Sequence, residues 1–112
     1  MLNSKKKYNA DLRRQSKKTT IMNLNSTIFF VFDVESIGLH GEGYAVGYVV
    51  IQDGKEVESG MFACPASKAK GADSDRLWVY ENIPQIAPNC PHPITVRENF
   101  WCRWIHWKSK GA

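Results

Sequence analysis

The stretch Phe29–Glu35, FFVFDVE, limits what this chain can fold into more than any other. Successive side chains of a strand point to opposite faces, so Phe30, Phe32 and Val34 share one face and Phe29, Val31, Asp33 and Glu35 share the other. Both faces are apolar until the acids begin. The pattern predicts a strand over 27–35 that is central in its sheet and covered on both sides, with two carboxylates at its carboxyl end. Asp33 and Glu35, two apart, project into one small volume, where two like charges repel and uncompensated burial is costly. A divalent cation relieves that repulsion. Carboxylate oxygens suit Mg²⁺ or Mn²⁺, and a pair of such ions can hold the attacking and leaving oxygens of a phosphodiester during hydrolysis. An isolated D-x-E would ordinarily splay into solvent. Here the doubly apolar strand, the glycine-bearing turn after it and the hairpin that follows favour a ligand pair.

That turn is SIGLHGEG, in which Gly38, Gly41 and Gly43 permit a chain reversal. A second strand is expected over 44–51. Asp53 and Gly54 then form a two-residue hairpin loop into a third strand over 55–63, on which Glu56 and Glu58 alternate with Val57 and face solvent. The result is a three-stranded antiparallel meander followed by a loop and an α-helix. Residues 64–93 hold all five prolines and read as mostly irregular, with a short helix within SDRLWVYENI. The last segment, TVRENFWCRWIHWKSKGA, reads as a helix with Thr95 as N-cap, Glu98 completing a capping box and Gly111 as the stop. Val96, Phe100, Trp104 and Trp107 fall on one face at helical spacing, with Arg103 and Lys110 elsewhere. Trp101, Trp104 and Trp107 are expected to pack in the core rather than to form a base-stacking platform.

Charge divides the chain. Residues 1–20 carry seven Lys and Arg against one Asp, a net of +6, which leaves −2 for the remainder of a chain whose net charge is +4. Residues 1–25 read as a basic, disordered arm and 26–112 as the folded part. Such an arm either holds phosphates through counterion release or solubilises the chain as an upstream extension, Met22 being a second plausible start. Cys64, Cys90 and Cys102 are odd in number and form no CxxC pair, so neither a disulfide framework nor a structural zinc site is indicated. A reducing cytoplasm is the expected compartment. The longest apolar run, Ile28–Phe32, falls far short of a membrane span, and no membrane association is expected.

VFDVESIGL, followed by the YAVGYVVIQDGKEVESGMF hairpin, resembles the first motif and opening meander of the DnaQ-like 3′-5′ exonucleases of the DEDD superfamily. More narrowly it is similar to small bacterial and phage 3′-5′ exoribonucleases, over about residues 27–112. The resemblance implies a ribonuclease H-like fold and a site in which four acids bind two divalent metals. Asp33 and Glu35 match the first two acids, as catalytic metal ligands. Ser36, Ile37 and Gly38 match the turn that approaches the terminal nucleotide of the substrate. The other two acids are not matched, and His40, His92 and His106 are followed five residues on by Ala45, Arg97 and Gly111 rather than by the expected Asp. The expectation is therefore the amino-terminal part of a metal-dependent exonuclease acting on 3′ ends of RNA or DNA. Alone it should be inactive, its site completed by a missing carboxyl-terminal half or a second subunit.

Two other readings fit part of the pattern. In one, the chain is a non-catalytic nucleic-acid-binding or interaction module that works through its basic arm, with no need of metal. In the other, an actin-like ATPase uses the strand-end Asp and glycine turn around phosphate, but Glu35 aimed at the same spot repels phosphate unless metal intervenes.

Overall fold

The computed structural model describes residues 27–112, so the basic arm at 1–25 and Met22 lie outside the described residues. The chain is α/β. Three strands, β1 (Ile28–Ser36), β2 (Gly43–Gln52) and β3 (Lys55–Ala63), form an antiparallel sheet in the order β1-β2-β3. A 3-10 turn at Ala66–Lys68 and two helices follow, α1 (Asp73–Asn82) and α2 (Pro93–Ser109). The β2–β3 turn is the expected two-residue loop. Asp53 and Gly54 both adopt positive φ, 54° and 75°, which matches the twist of the flanking strands.

β1 lies at the edge of the described sheet rather than at its centre, because only β2 pairs with it. The expected cover on both faces is also missing. Phe29 and Val31 on the outer face are 41% and 54% exposed, and no described helix packs there. The apolar pattern of β1 is thus a demand for partners that these residues meet on one face only.

That inner face is covered by α2. Phe30 stacks on Tyr48 at 5.2 Å and meets Phe100 and Trp104 edge-on at 5.7 and 5.4 Å. Val50 and Trp107 are buried beneath them. A second cluster, around Ile37, Tyr44, Val46, Cys64 and Val79, fills the end of the sheet where β1 finishes and α1 begins. Val96 and Trp107 are buried and Phe100 packs with them, as the helical spacing predicted. Trp101 does not join them. It is 57% exposed, because it lies one residue round the helix from Phe100, away from the sheet.

α2 starts three residues earlier than expected. Pro93 occupies the first turn and His92 is the N-cap, without a side-chain cap. Proline's fixed φ suits that first turn and removes a donor that would have had no partner, so the Thr95 capping box is not needed. At the other end Gly111 takes φ 107°, and the amides of Gly111 and Ala112 close on the carbonyls of Lys108 and Trp107. This is a Schellman stop, as Gly111 foretold.

Candidate functional site

Asp33 and Glu35 lie near the carboxyl end of β1, opposite Gly47 and Ala45 of β2. The ladder is regular between these two pairs and shifts only after Glu35, so both carboxylates project from the outer face, which is open at Asp33 and partly covered at Glu35, whose neighbour Ala45 is buried. Gly47 leaves open space beside Asp33, since a Cβ built there would meet nothing within 4 Å. Val31, Asp33, Val49 and Met61 surround a shallow depression of about 420 Å³. Neither carboxylate has a hydrogen-bond or ion-pair partner among the described residues. Asp33 is exposed and Glu35 half-buried, two residues apart on the same face of β1.

The turn after the pair is tightly built. Ser36 donates from its hydroxyl to the Gly38 carbonyl at 2.8 Å, so its side chain is occupied within the turn. Ile37 is fully buried, and any contact it makes with a ligand is through its backbone. Gly38 has φ 73°, and a Cβ there would stand 2.5 Å from the Asp75 carboxyl carbon. Glycine is therefore favoured by the left-handed backbone, with the movable Asp75 side chain lying over it. Asp75 reaches the turn but not the acid pair. Among the described residues no three His, Cys, Asp or Glu side chains cluster to hold a metal ion, so Asp73, Asp75 and Glu98 do not complete the site. Asp33 and Glu35 by themselves offer fewer carboxylates than a two-metal centre needs.

Two acids that drew no functional reading turn out to organise the surroundings. Glu42 accepts from the Lys70 backbone amide at 3.0 Å and from Arg97 at 2.8 Å, while its own amide donates to the Lys70 carbonyl. The Lys70 amide first, and then Arg97, hold the Glu42 carboxyl below its ordinary range. Glu42 thereby ties the glycine turn to the segment before α1 and to α2.

Glu58 corrects the sequence reading. Val50 pairs with Glu58 and Ile51 with Glu56, so Val57 is the extra residue of a β-bulge. The slip moves Glu58 onto the inner face with Val50 and Tyr48 instead of into solvent. There its carboxylate accepts from the Tyr48 hydroxyl (2.9 Å), from Arg103 Nε and Nη2 (2.9 and 2.5 Å) and from the Trp107 indole (3.1 Å). Arg103 accordingly points at the sheet and not elsewhere, lying one turn before Trp107 on the same face of α2. Arg103 holds the Glu58 carboxyl below its ordinary range, with burial opposing and Trp107 and Tyr48 assisting. An alternation of Glu and Val carried no sign of the bulge.

Asn89 is a third device outside the sequence reading. Its side chain accepts from the Ala63 amide at 2.8 Å and donates to the Met61 carbonyl at 2.7 Å. The backbone amides of Asn89 and Cys90 both donate to the Ala63 carbonyl at 2.9 Å. The carboxyl end of β3's outer edge is thus capped, whereas β1's outer edge has no partner among the described residues. No helix among the described residues is long and apolar enough to cross a membrane. No protein-family model, no curated protein and no solved structure matches this chain.

Proposed function

We propose that this chain is the first-motif part of a ribonuclease H-like, DnaQ-type 3′-5′ exonuclease, in which Asp33 and Glu35 hold a divalent metal at the end of a nucleic-acid strand. The observation that carries this is the pair of carboxylates on one face at the end of β1, without a hydrogen-bond or ion-pair partner among the described residues, immediately before the turn closed by Gly38. The sequence resemblance over 27–112 and the open edge of β1 support it. With two carboxylates in reach of one another, the chain holds one ion loosely and does not position a water for attack. Hydrolysis on this reading needs further acids and a base supplied by another segment or chain.

Titration with Mn²⁺, followed by paramagnetic broadening of amide signals, tests the metal step. Broadening should centre on Val34–Ser36 and Gly47, and vanish in Asp33→Asn. A 5′-labelled RNA and a matching DNA should remain untrimmed by this chain in Mg²⁺ or Mn²⁺. Broadening that is unchanged in Asp33→Asn would remove the acid pair from the function. Robust metal-dependent trimming by this chain alone would show that some other acid completes the site.

A further inference from the structure

A second concavity, of about 400 Å³, lies between α1, the end of β3 and the proline-bearing segment that leads to α2. Its walls include Val79, Ile83, Pro84, Ile86 and Pro88. No Lys, Arg, Asp, Glu or His lines it. Tyr44 lines it too. This residue is 5% exposed and its hydroxyl makes no hydrogen bond with any described residue, yet no fully sealed side-chain oxygen or nitrogen lacks a partner. The hydroxyl therefore keeps solvent access while the ring is buried. Buried polar groups are normally satisfied, and one left open beside a cavity is an available donor.

We propose that this cavity binds an uncharged, planar heteroaromatic ring, held between the proline and isoleucine walls and hydrogen-bonded through an acceptor atom to the Tyr44 hydroxyl. The volume falls within the range of small-molecule sites, which are mostly apolar with few oriented polar groups. The absence of charged lining residues excludes a phosphate or carboxylate as the buried part. Tyr80, 57% exposed on α1, stands at the rim, where its ring is available to stack on the ligand. Ser67 and Gln85 also line the cavity and add polar contacts for ring substituents. A nucleobase has this chemistry; choosing it among planar rings rests on the nuclease reading, whereas the cavity does not.

The base could come from a free nucleoside or from a nucleic-acid strand. Amide-resolved titrations of the full chain with adenosine, uridine and the dinucleotide ApU, without divalent metal, address both. At least one nucleoside should bind saturably with a dissociation constant of about 0.1 to 1 mM, as expected for a ligand of this size. Shifts should centre on Val79, Ile83 and Ile86. Tighter binding of ApU than of the nucleosides identifies a strand as the source, and equal binding identifies the free nucleoside. Tyr44→Phe, which keeps the ring, should weaken binding about three- to tenfold. Tyr80→Ala, at an exposed position, should weaken it about tenfold without altering the fold. No saturable shift with any of the three ligands, or affinity unchanged in both variants, overturns the proposal. Because no metal is present, that result is independent of whether Asp33 and Glu35 ligate one.

Discussion

Replacing Arg103 by Met keeps the aliphatic stem against α2's neighbours but strips two of the four donors from Glu58. The lost bonds are the Nε and Nη2 contacts at 2.9 and 2.5 Å, between side chains 31% and 27% exposed. A hydrogen bond to a charged group contributes roughly 1.5–3 kcal/mol, and a fully exposed ion pair roughly 0–1 kcal/mol. This half-covered, two-pronged pair falls between, so the expected loss is about 2 kcal/mol, or about thirtyfold in the folding equilibrium. In urea that lowers the midpoint by about 1–2 M. Glu58→Gln, which keeps an acceptor for Tyr48 and Trp107, should cost somewhat less, and the double variant should cost about 1 kcal/mol less than the sum of the two. Acid should erase that coupling. The folded Glu58 carboxyl lies below its ordinary 4.5, so its contribution is complete above about that pH and fades as pH falls through the folded value. Urea curves for the four proteins at pH 7 and near pH 3 check both parts. Additive effects at pH 7, or a coupling that survives acid undiminished, would refute the idea that the charge on Glu58 holds α2 to the sheet.

Gly41→Ala should prevent folding or cost more than about 3 kcal/mol, since a Cβ there would overlap the Ile37 backbone carbonyl, which no rotamer change can clear; circular dichroism and thermal melts measure it. Gly38→Ala should cost about 1–2 kcal/mol through its left-handed backbone alone, with Asp75 swinging aside. Asn89→Ala should cost about 1–2 kcal/mol and speed hydrogen exchange at the Ala63 amide, which loses its side-chain acceptor. If the seven basic residues of 1–20 bind single-stranded nucleic acid, the logarithm of affinity should fall against that of salt with a slope no steeper than about −5. A chain starting at Met22 should lose that slope, and equal binding by both would clear the basic segment of any part in it.

Local signals in the sequence carried the meander well. Alternating apolar residues and Asp53-Gly54 set three strands whose bounds were met to within about a residue, because strand period and turn chemistry act over a few residues. The acid pair was equally legible, since i and i+2 on a strand need no tertiary knowledge to share a face. What escaped was decided at longer range. The bulge at Val57 depends on how β2 and β3 accommodate Tyr48 and Val50 under α2, and that one-residue slip turned Glu58 from a surface charge into the anchor of Arg103 and Trp107. Asn89 satisfies the edge of β3 from 26 residues away, a pairing that no window of neighbouring residues contains. The position of β1 at an edge escaped for a similar reason: its composition records which surfaces want cover, not whether cover is supplied by the same residues.

The two margins of this sheet are chemically unlike. Along β3, Asn89 and Cys90 have already taken the amide and carbonyl of Ala63 and the carbonyl of Met61. Along β1, nine residues present a ladder that no other described residue completes, flanked by Phe29, Val31, Phe32 and Val34, all exposed. Of the two margins, β1 is open over more of its length. A strand that extends the sheet there brings its side chains beside Asp33 and Glu35 in the same step that sequesters a long, sticky edge. Protection from aggregation and delivery of new ligands to the acid pair become a single event.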